Sequence, residues 1–344
     1  MKANIYRGVK DIEFTELPMP EYGPKDALIR VTRAGICGTD LHAYLEDGEA
    51  VGIPPGNQFG HEFVGVVEAV GDEVTDVKAG DRVWVNPTHR LPPDSGVSPI
   101  EIADSAGGFS EYMVVEQVSM GKHVHALPDN LHFDKAVIIE PMSVAMGGCN
   151  TSGAKPGDKV LIYGAGPVGL GVVAGFISKG ITDIIISDVV PLRLEAAEKM
   201  GAIAHNAKES DVLDFVKEKW GTGTDSFGKE SIMADHVIDC AGFKGVLEQY
   251  MANGKVKSRF TAVALAYAPE EVVPYTLVVN GFSILGSLAY TADDVEEVIA
   301  MLAENKANVD PIVTAAFPTD QLAEAFEAAT DRDGQIKVTI NHEM

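Results

Sequence analysis

The stretch "DKVLIYGAGPVGLGVVAGFISKG", residues 158–180, decides the fold. An uninterrupted apolar run leads into Gly164, Gly166 and Gly169, and a helical pattern follows. Such a run ending in glycine reads as a strand buried on both faces, and the spacing is G-x-G-x-x-G at a strand-to-helix turn. There the first glycine permits the tight turn, the second lets backbone amides approach a pyrophosphate, and the third lets helix and strand pack closely. The helix N-terminus adds a positive dipole for an anion. Gly164, Gly166, Pro167, Val168 and Gly169 are therefore the expected cofactor contacts.

Downstream, "DIIISD" is a second apolar run closed by Asp188, 24 positions after Gly164. A carboxylate there accepts hydrogen bonds from the adenosine ribose hydroxyls and repels a 2'-phosphate, which favours NAD. Val189 and Val190 offer no cation, and Arg193 is the nearest one. Further alternation of helix and strand at "LRLEAAEKMGA", "ADHVIDCAG", "RFTAVAL" and "FSILGSLAY" indicates βαβ units on a parallel sheet. The part before residue 150 reads differently, as short strands between Gly and Pro turns ("DALIRVTRAGI", "EFVGVVEAVGDEV", "DRVWVNP", "FSEYMVV"), and predicts a barrel-like β domain. After Tyr290 come two amphipathic stretches and a last strand, "IKVTINH". The expected domains are 1–150, 151–290, and a tail at 291–344 that returns to the first. A chain of 344 residues exceeds the roughly 250–300 at which one core stops growing, which agrees with division.

A net charge of -24 opposes phosphate backbones and anionic membranes, so nucleic acid and membrane are not expected partners. No run of about 18 apolar residues is present, and the N-terminus lacks an apolar signal region. Three widely spaced cysteines, Cys37, Cys149 and Cys240, argue against a disulfide framework and for a reducing compartment, so the cytoplasm is the expected location.

One cysteine stands in a chemical setting. Cys37 lies in "GICGTDLH", followed by "GHEF" with His61 and Glu62, and much later by "IIEPMS" with Glu140. A thiolate, an imidazole and carboxylates are zinc ligands, and a catalytic zinc needs protein ligands plus one open position. Cys37 and His61 form the surest pair. His61 and Glu62 are neighbours, and neighbours on a regular strand face opposite ways, so both can reach one metal only through a turn or bulge. Glu62 is expected to ligate in some states only, alternating with water. Thr39, two residues after Cys37, is expected on that ligand's side of a strand, where its hydroxyl can accept and donate a proton. His42 would pass that proton to water. His123 and His125 in "GKHVHAL" read as the exposed face of a strand.

In order along the chain, "GICGTDLH", "GHEF", "GDRV", "IIEPMSV", "VLIYGAGPVGL" and "VIDCAG" resemble the zinc-dependent medium-chain dehydrogenase/reductase family, in its sorbitol, 2,3-butanediol and threonine dehydrogenase branch. The resemblance covers nearly the whole chain. It implies a GroES-like β-barrel catalytic domain with an inserted Rossmann doubly wound parallel sheet, an active site in the cleft between them, and assembly as a homodimer or homotetramer. By position, Cys37, His61 and Glu62 match the family's zinc ligands, Glu140 the carboxylate of polyol-type members, and Lys337 a cation near the pyrophosphate. One departure is plain: the lobe that commonly carries four cysteines for a structural zinc is here "NPTHRLPPDSGVSPIEIADSAGGF", without a cysteine. Its donors, His89, Asp94, Glu101 and Asp104, are too few and too hard for a closed zinc site, so one catalytic zinc and no structural zinc is the expectation.

The expected reaction is reversible interconversion of a secondary alcohol, a polyol or vicinal diol, and its ketone, with NAD. Within the family, L-threonine or a bulkier alcohol such as a steroid is the alternative substrate. A zinc-free quinone or enone reductase would lack Cys37, His61 and Glu140 as a set. A non-catalytic dinucleotide-binding protein would have no need of Thr39 and His42.

Overall fold

The computed structural model describes residues 1–87 and 107–344. Two compact units result, one of Met1–Glu140, Thr291–Glu304 and Val313–Met344, the other of Pro141–Tyr290 and Asn305–Ile312. No helix among the described residues is long and apolar enough to cross a membrane.

The second unit is a six-stranded sheet in the order Ile203–Asn206, Ile184–Asp188, Val160–Tyr163, His236–Asp239, Arg259–Ala262, Ser283–Gly286, parallel throughout. Numbered along the chain this order runs 3-2-1-4-5-6, the doubly wound arrangement, and it reverses beside Val160–Tyr163. Covering helices explain the apolar runs: Leu161, Ile162, Ile184, Ile185 and Ile186 are all fully buried. The helices Pro167–Ser178 and Pro191–Lys199 each start with proline, whose fixed φ suits a first turn and whose missing N–H costs nothing there. A short hairpin, Thr222–Thr224 with Glu230–Ile232, interrupts the alternation. Its three-residue strands carry too little period-2 signal to be foreseen from sequence.

The first unit holds a mostly antiparallel sheet in the order Val313–Pro318, Lys337–Asn341, Ala27–Gly35, Glu62–Val70, Arg82–Val85, Val124–Ala126, with Tyr112–Val115 also paired to Ala27–Gly35. Its core gathers the rings of Phe59, Phe109 and Phe326, whose centroids lie 4.9–5.7 Å apart. The helix Ala292–Ala303 begins with a reciprocal cap between Thr291 and Asp294 and buries Val295, Val298 and Leu302. His123 and His125 are buried, contrary to the exposed face expected of them: the His125 ring packs on Trp84, and its Nδ1 lies 2.6 Å from Glu296 Oε1 on that helix.

Candidate active site

In the first unit, strand register brings the chemistry together. Gly35 pairs with Glu62 on one side and with Thr339 on the other. Three chain segments therefore run side by side: the exit toward Cys37, the entry through His61 and Glu62, and the start of the strand Lys337–Asn341. His61 precedes its strand, and Gly60 before it has φ 91°, a left-handed turn that L residues resist. That turn breaks the alternation that would send His61 and Glu62 to opposite faces. Ligand atoms of Cys37, His61 and Glu62 lie within 4.8 Å of one another, with His61 and Glu62 buried and Cys37 half-buried.

Around these donors stands an electrostatic frame. Asp40 is wholly buried; its Oδ2 accepts from the Cys37 amide at 2.9 Å, and its Oδ1 stands 3.8 Å from His61 Nδ1. Neither Asp40 Oδ1 nor His61 Nδ1 has a hydrogen-bond partner among the described residues. Lys337 pairs its ammonium with Glu62 and donates to the Ile36 carbonyl at 2.8 Å. Burial opposes charge on His61, yet Cys37, Asp40 and Glu140 outweigh it and hold the imidazole well above its usual pKa. The Lys337 ammonium behaves likewise: burial lowers it, and Glu62, Cys37 and Glu140 raise it further. Burial raises the Asp40 carboxyl, which His61 partly offsets. A pocket that binds protons this firmly is one where a divalent cation can replace them. The donor set, one thiolate, one imidazole and one carboxylate, fits zinc.

Glu140 opens the helix Ile139–Ser152 and acts on His61 and Lys337 through its charge, but it does not belong to the three-donor group. Thr39 is not on a strand. Helix Gly38–Leu45 starts directly after Cys37, because Asp40 caps the Cys37 amide from the third helical position. The hydroxyl of Thr39 nonetheless lies 3.8 Å from Cys37 Sγ. His42 is three residues further on the same helix and therefore on the same face, with its side chain 40% exposed and 3.6 Å from Glu46. Lys337, expected as a cation near a pyrophosphate, is 3% exposed, and it pairs with the Glu62 carboxylate and donates to the Ile36 carbonyl. Sequence reasoning missed Asp40 altogether. The signal for it was available, since an acid three residues after Cys37 marks a helix start. The segment with His89, Asp94, Glu101 and Asp104, where no structural zinc is expected, lies outside the described residues.

In the second unit, Gly166 caps the helix Pro167–Ser178, and Pro167, Val168 and Gly169 form its first turn. Gly164 has φ 91°, and a Cβ on Gly169 would fall 1.8 Å from the Gly164 carbonyl oxygen, so neither tolerates a side chain. A Cβ on Gly166 would meet nothing within 4 Å, which leaves open space before the helix N-terminus. The Asp188 carboxylate accepts from Ala165 N at 2.6 Å, Val189 N at 2.7 Å and Val190 N at 3.0 Å. Beside it opens a cavity of about 270 Å³ whose walls include Gly164, Ser187, Asp188, Ser210, Asp211 and Phe243. Arg193 lies in the helix Pro191–Lys199 with its Nε buried and without a hydrogen-bond partner among the described residues; it is not one of the cavity's walls.

Residues 23–129 match the alcohol dehydrogenase GroES-like domain family and residues 167–304 the zinc-binding dehydrogenase family. Among curated relatives, (R,R)-butanediol dehydrogenase of Bacillus subtilis is 30% identical over 99% of each chain. Sorbitol dehydrogenase of the same organism is 32% identical over 96% of this chain and 93% of the relative. A solved alcohol dehydrogenase of Escherichia coli CFT073, complexed with NADH, superposes with a TM-score of 0.85 at 27% identity, covering 99% of each chain. The matched families, the relatives aligned end to end, and the donor cluster and glycine loop in their expected units agree: the chain belongs to the zinc-dependent medium-chain dehydrogenase/reductase family, in the branch of the butanediol and sorbitol dehydrogenases.

Proposed function

We propose that the chain oxidises a vicinal diol or polyol to the corresponding ketone, reversibly, with one zinc at Cys37, His61 and Glu62, Glu140 as an outer carboxylate, and NAD as cofactor. The observation that carries this reading is the three-donor group within 4.8 Å, with His61 and Glu62 buried and Cys37 half-buried, set among more carboxylates than Lys337 can neutralise. When bound, zinc supplies Lewis-acid polarisation of the substrate oxygen, and NAD accepts the hydride. Asp40, 3.8 Å from His61 Nδ1, attracts that edge of the ring by its charge, which favours Nε2 as the ligand atom. Lys337 holds Glu62 when that carboxylate is off the metal, which makes Glu62 the interchangeable ligand. Thr39 relays the substrate hydroxyl's proton: Oγ1 accepts it as its own hydroxyl proton moves on toward His42, which is partly exposed on the same helix face and releases a proton to water. In the second unit Gly164, Gly166, Pro167, Val168 and Gly169 hold the pyrophosphate and Asp188 accepts from the ribose hydroxyls; Arg193, five residues after Asp188 but not a wall of the cavity, is the nearest cation in sequence.

The acidic surface and the family fit a cytoplasmic enzyme that pairs with its own kind. Residues 272–292 carry no charged side chain in a chain of net charge -24. They include the sheet's edge strand Ser283–Gly286 and the exposed Tyr275, Val278, Ile284 and Leu288. A second acidic copy meets the least repulsion there, and an unpaired edge offers it backbone partners. The function is tested by assaying 2,3-butanediol, sorbitol, L-threonine, a steroid alcohol and an enone with NAD or NADH. Highest kcat/KM on the diol or polyol is expected. Turnover of threonine alone, or enone reduction that survives zinc removal, would overturn it.

A further inference from the structure

Behind the wall of the 270 Å³ cavity sits a histidine that no step of the proposed chemistry uses. His205 lies on the strand Ile203–Asn206, directly paired with Ser187, and is 2% exposed. Its Nδ1 is 2.9 Å from Ser187 Oγ and its Nε2 is 3.0 Å from Ser210 Oγ. Both serines line the cavity; His205 itself does not. One comes from the strand that ends in Asp188, the other from the connection that leads to Asp211, the cap of the helix Val212–Trp220. The imidazole thus ties together two walls that are 23 residues apart in sequence. Phe215 of that helix packs on the ring at 4.8 Å and fixes its plane.

The chemistry of the tie matters as much as its position. Burial lowers the imidazole's proton affinity, and Ser210, Asp211 and Glu209 only partly restore it, so the ring is held neutral. A neutral imidazole has one N–H and one bare nitrogen, so it donates to one serine and accepts from the other. One hydroxyl keeps its proton free and the other keeps only lone pairs. The two cavity serines therefore differ, one as a donor and one as an acceptor, and a purine with an exocyclic amine beside ring nitrogens offers the matching pair of groups.

We propose that His205 is a positioning residue for the adenosine end of the dinucleotide: by bridging Ser187 and Ser210 it fixes the spacing and hydrogen-bonding sense of the cavity walls. This rests on the reading that the cavity receives the adenosine of NAD. His205 touches neither nicotinamide nor substrate, so its effect belongs to cofactor affinity and not to the chemical step.

The test measures NADH dissociation constants by fluorescence titration of the zinc-loaded enzyme, for wild type, His205→Phe, His205→Gln, Ser210→Ala, the His205→Phe/Ser210→Ala double variant, and Asp188→Ala. Phenylalanine keeps the ring and removes both hydrogen bonds; glutamine retains one donor and acceptor group in the Nε2 position. His205→Phe should weaken NADH roughly three- to thirty-fold, the worth of one or two hydrogen bonds. His205→Gln should recover part of that loss. The double variant should be weaker than wild type by less than the product of the single effects, because both changes break the same bridge. The KM for NAD should rise by a larger factor than kcat falls. Unchanged NADH affinity in a folded His205→Phe protein, or in folded His205→Gln where the phenylalanine variant does not fold, overturns the proposal; so does full additivity with Ser210→Ala. If Asp188→Ala also leaves NADH affinity unchanged, the cavity is not the adenosine site and the underlying reading fails. If only Asp188→Ala weakens it, that reading stands and the role of His205 falls.

Discussion

Of the two proposed sites, that in the second unit offers a negative ligand backbone amides, whereas that in the first offers a positive one side chains. In the glycine loop the positive pole is built from amides at the start of the helix Pro167–Ser178, and the only conditions are that Gly164 turn left-handed and that Gly169 lack a Cβ. In the donor cluster, Cys37, Asp40, His61, Glu62 and Lys337 come from three chain segments, and each binds or neutralises another. A backbone site depends on local conformation and is indifferent to most substitutions. A site of mutually compensating buried charges fails when any one is removed, because the partner is left desolvated and unpaired.

Breaking the first region therefore gives the larger effects. Thr39→Ala should lower kcat by roughly 10²–10⁴, the usual worth of a placed proton-transfer group, while zinc content and NADH binding stay as in wild type. Steady-state rates with the preferred alcohol measure this, and a loss under tenfold would show that another group carries the proton. Asp40→Asn keeps the cap on the Cys37 amide but removes the charge that holds His61, and should weaken zinc by about 10- to 100-fold in competition with a chelator. Equal zinc affinity would mean that His61 is oriented without Asp40.

The second region should respond more mildly. Wild type should favour NAD over NADP by tenfold or more in kcat/KM, about 1.4 kcal/mol, and Asp188→Ala should narrow that gap mainly by weakening NAD. Equal efficiency with both cofactors in wild type would remove Asp188 from cofactor choice.

These two regions also differ in how far the sequence alone revealed them. The glycine loop was readable because its six residues, their strand and their helix are contiguous, so period and punctuation suffice. Asp188 followed from the same unit. Cys37, His61 and Glu62 were readable by residue type, but their frame was not. The Glu62–Lys337 pair spans almost the whole chain, and only the register that sets Thr339 beside Gly35 and Gly35 beside Glu62 brings the two together. No periodicity encodes that. Thr39 was misplaced on a strand because its helix is only eight residues long and continues directly from a strand-like run. The burial of His125 depends on Glu296 in a helix 171 residues later, a contact no local pattern carries.

A smaller effect separates the charged cluster from the neutral imidazoles elsewhere. His342 accepts from Thr319 through Nδ1 and donates to Gly108 O through Nε2, and burial pushes its pKa down to about 4. The unfolded chain protonates this group near pH 6.5, before the folded chain does, so its contribution to stability is complete above about pH 6.5 and declines as the pH falls toward 4. His205 and His236, also lowered by burial, act in the same direction. Thermal midpoints should fall across that window, and His342→Asn should flatten part of the fall. A midpoint that rises on acidification would contradict the assignment.

In the proposed function Cys37, His61 and Glu62 hold a zinc ion on which turnover depends. Metal analysis by mass spectrometry of purified wild type and Cys37→Ser, each checked for an intact fold by circular dichroism and for retained NADH binding, tests it most directly. About one zinc per wild-type chain is expected, and in the variant no zinc and no turnover. A Cys37→Ser protein that keeps its full zinc content, or wild type that oxidises alcohols with no zinc bound, would contradict it.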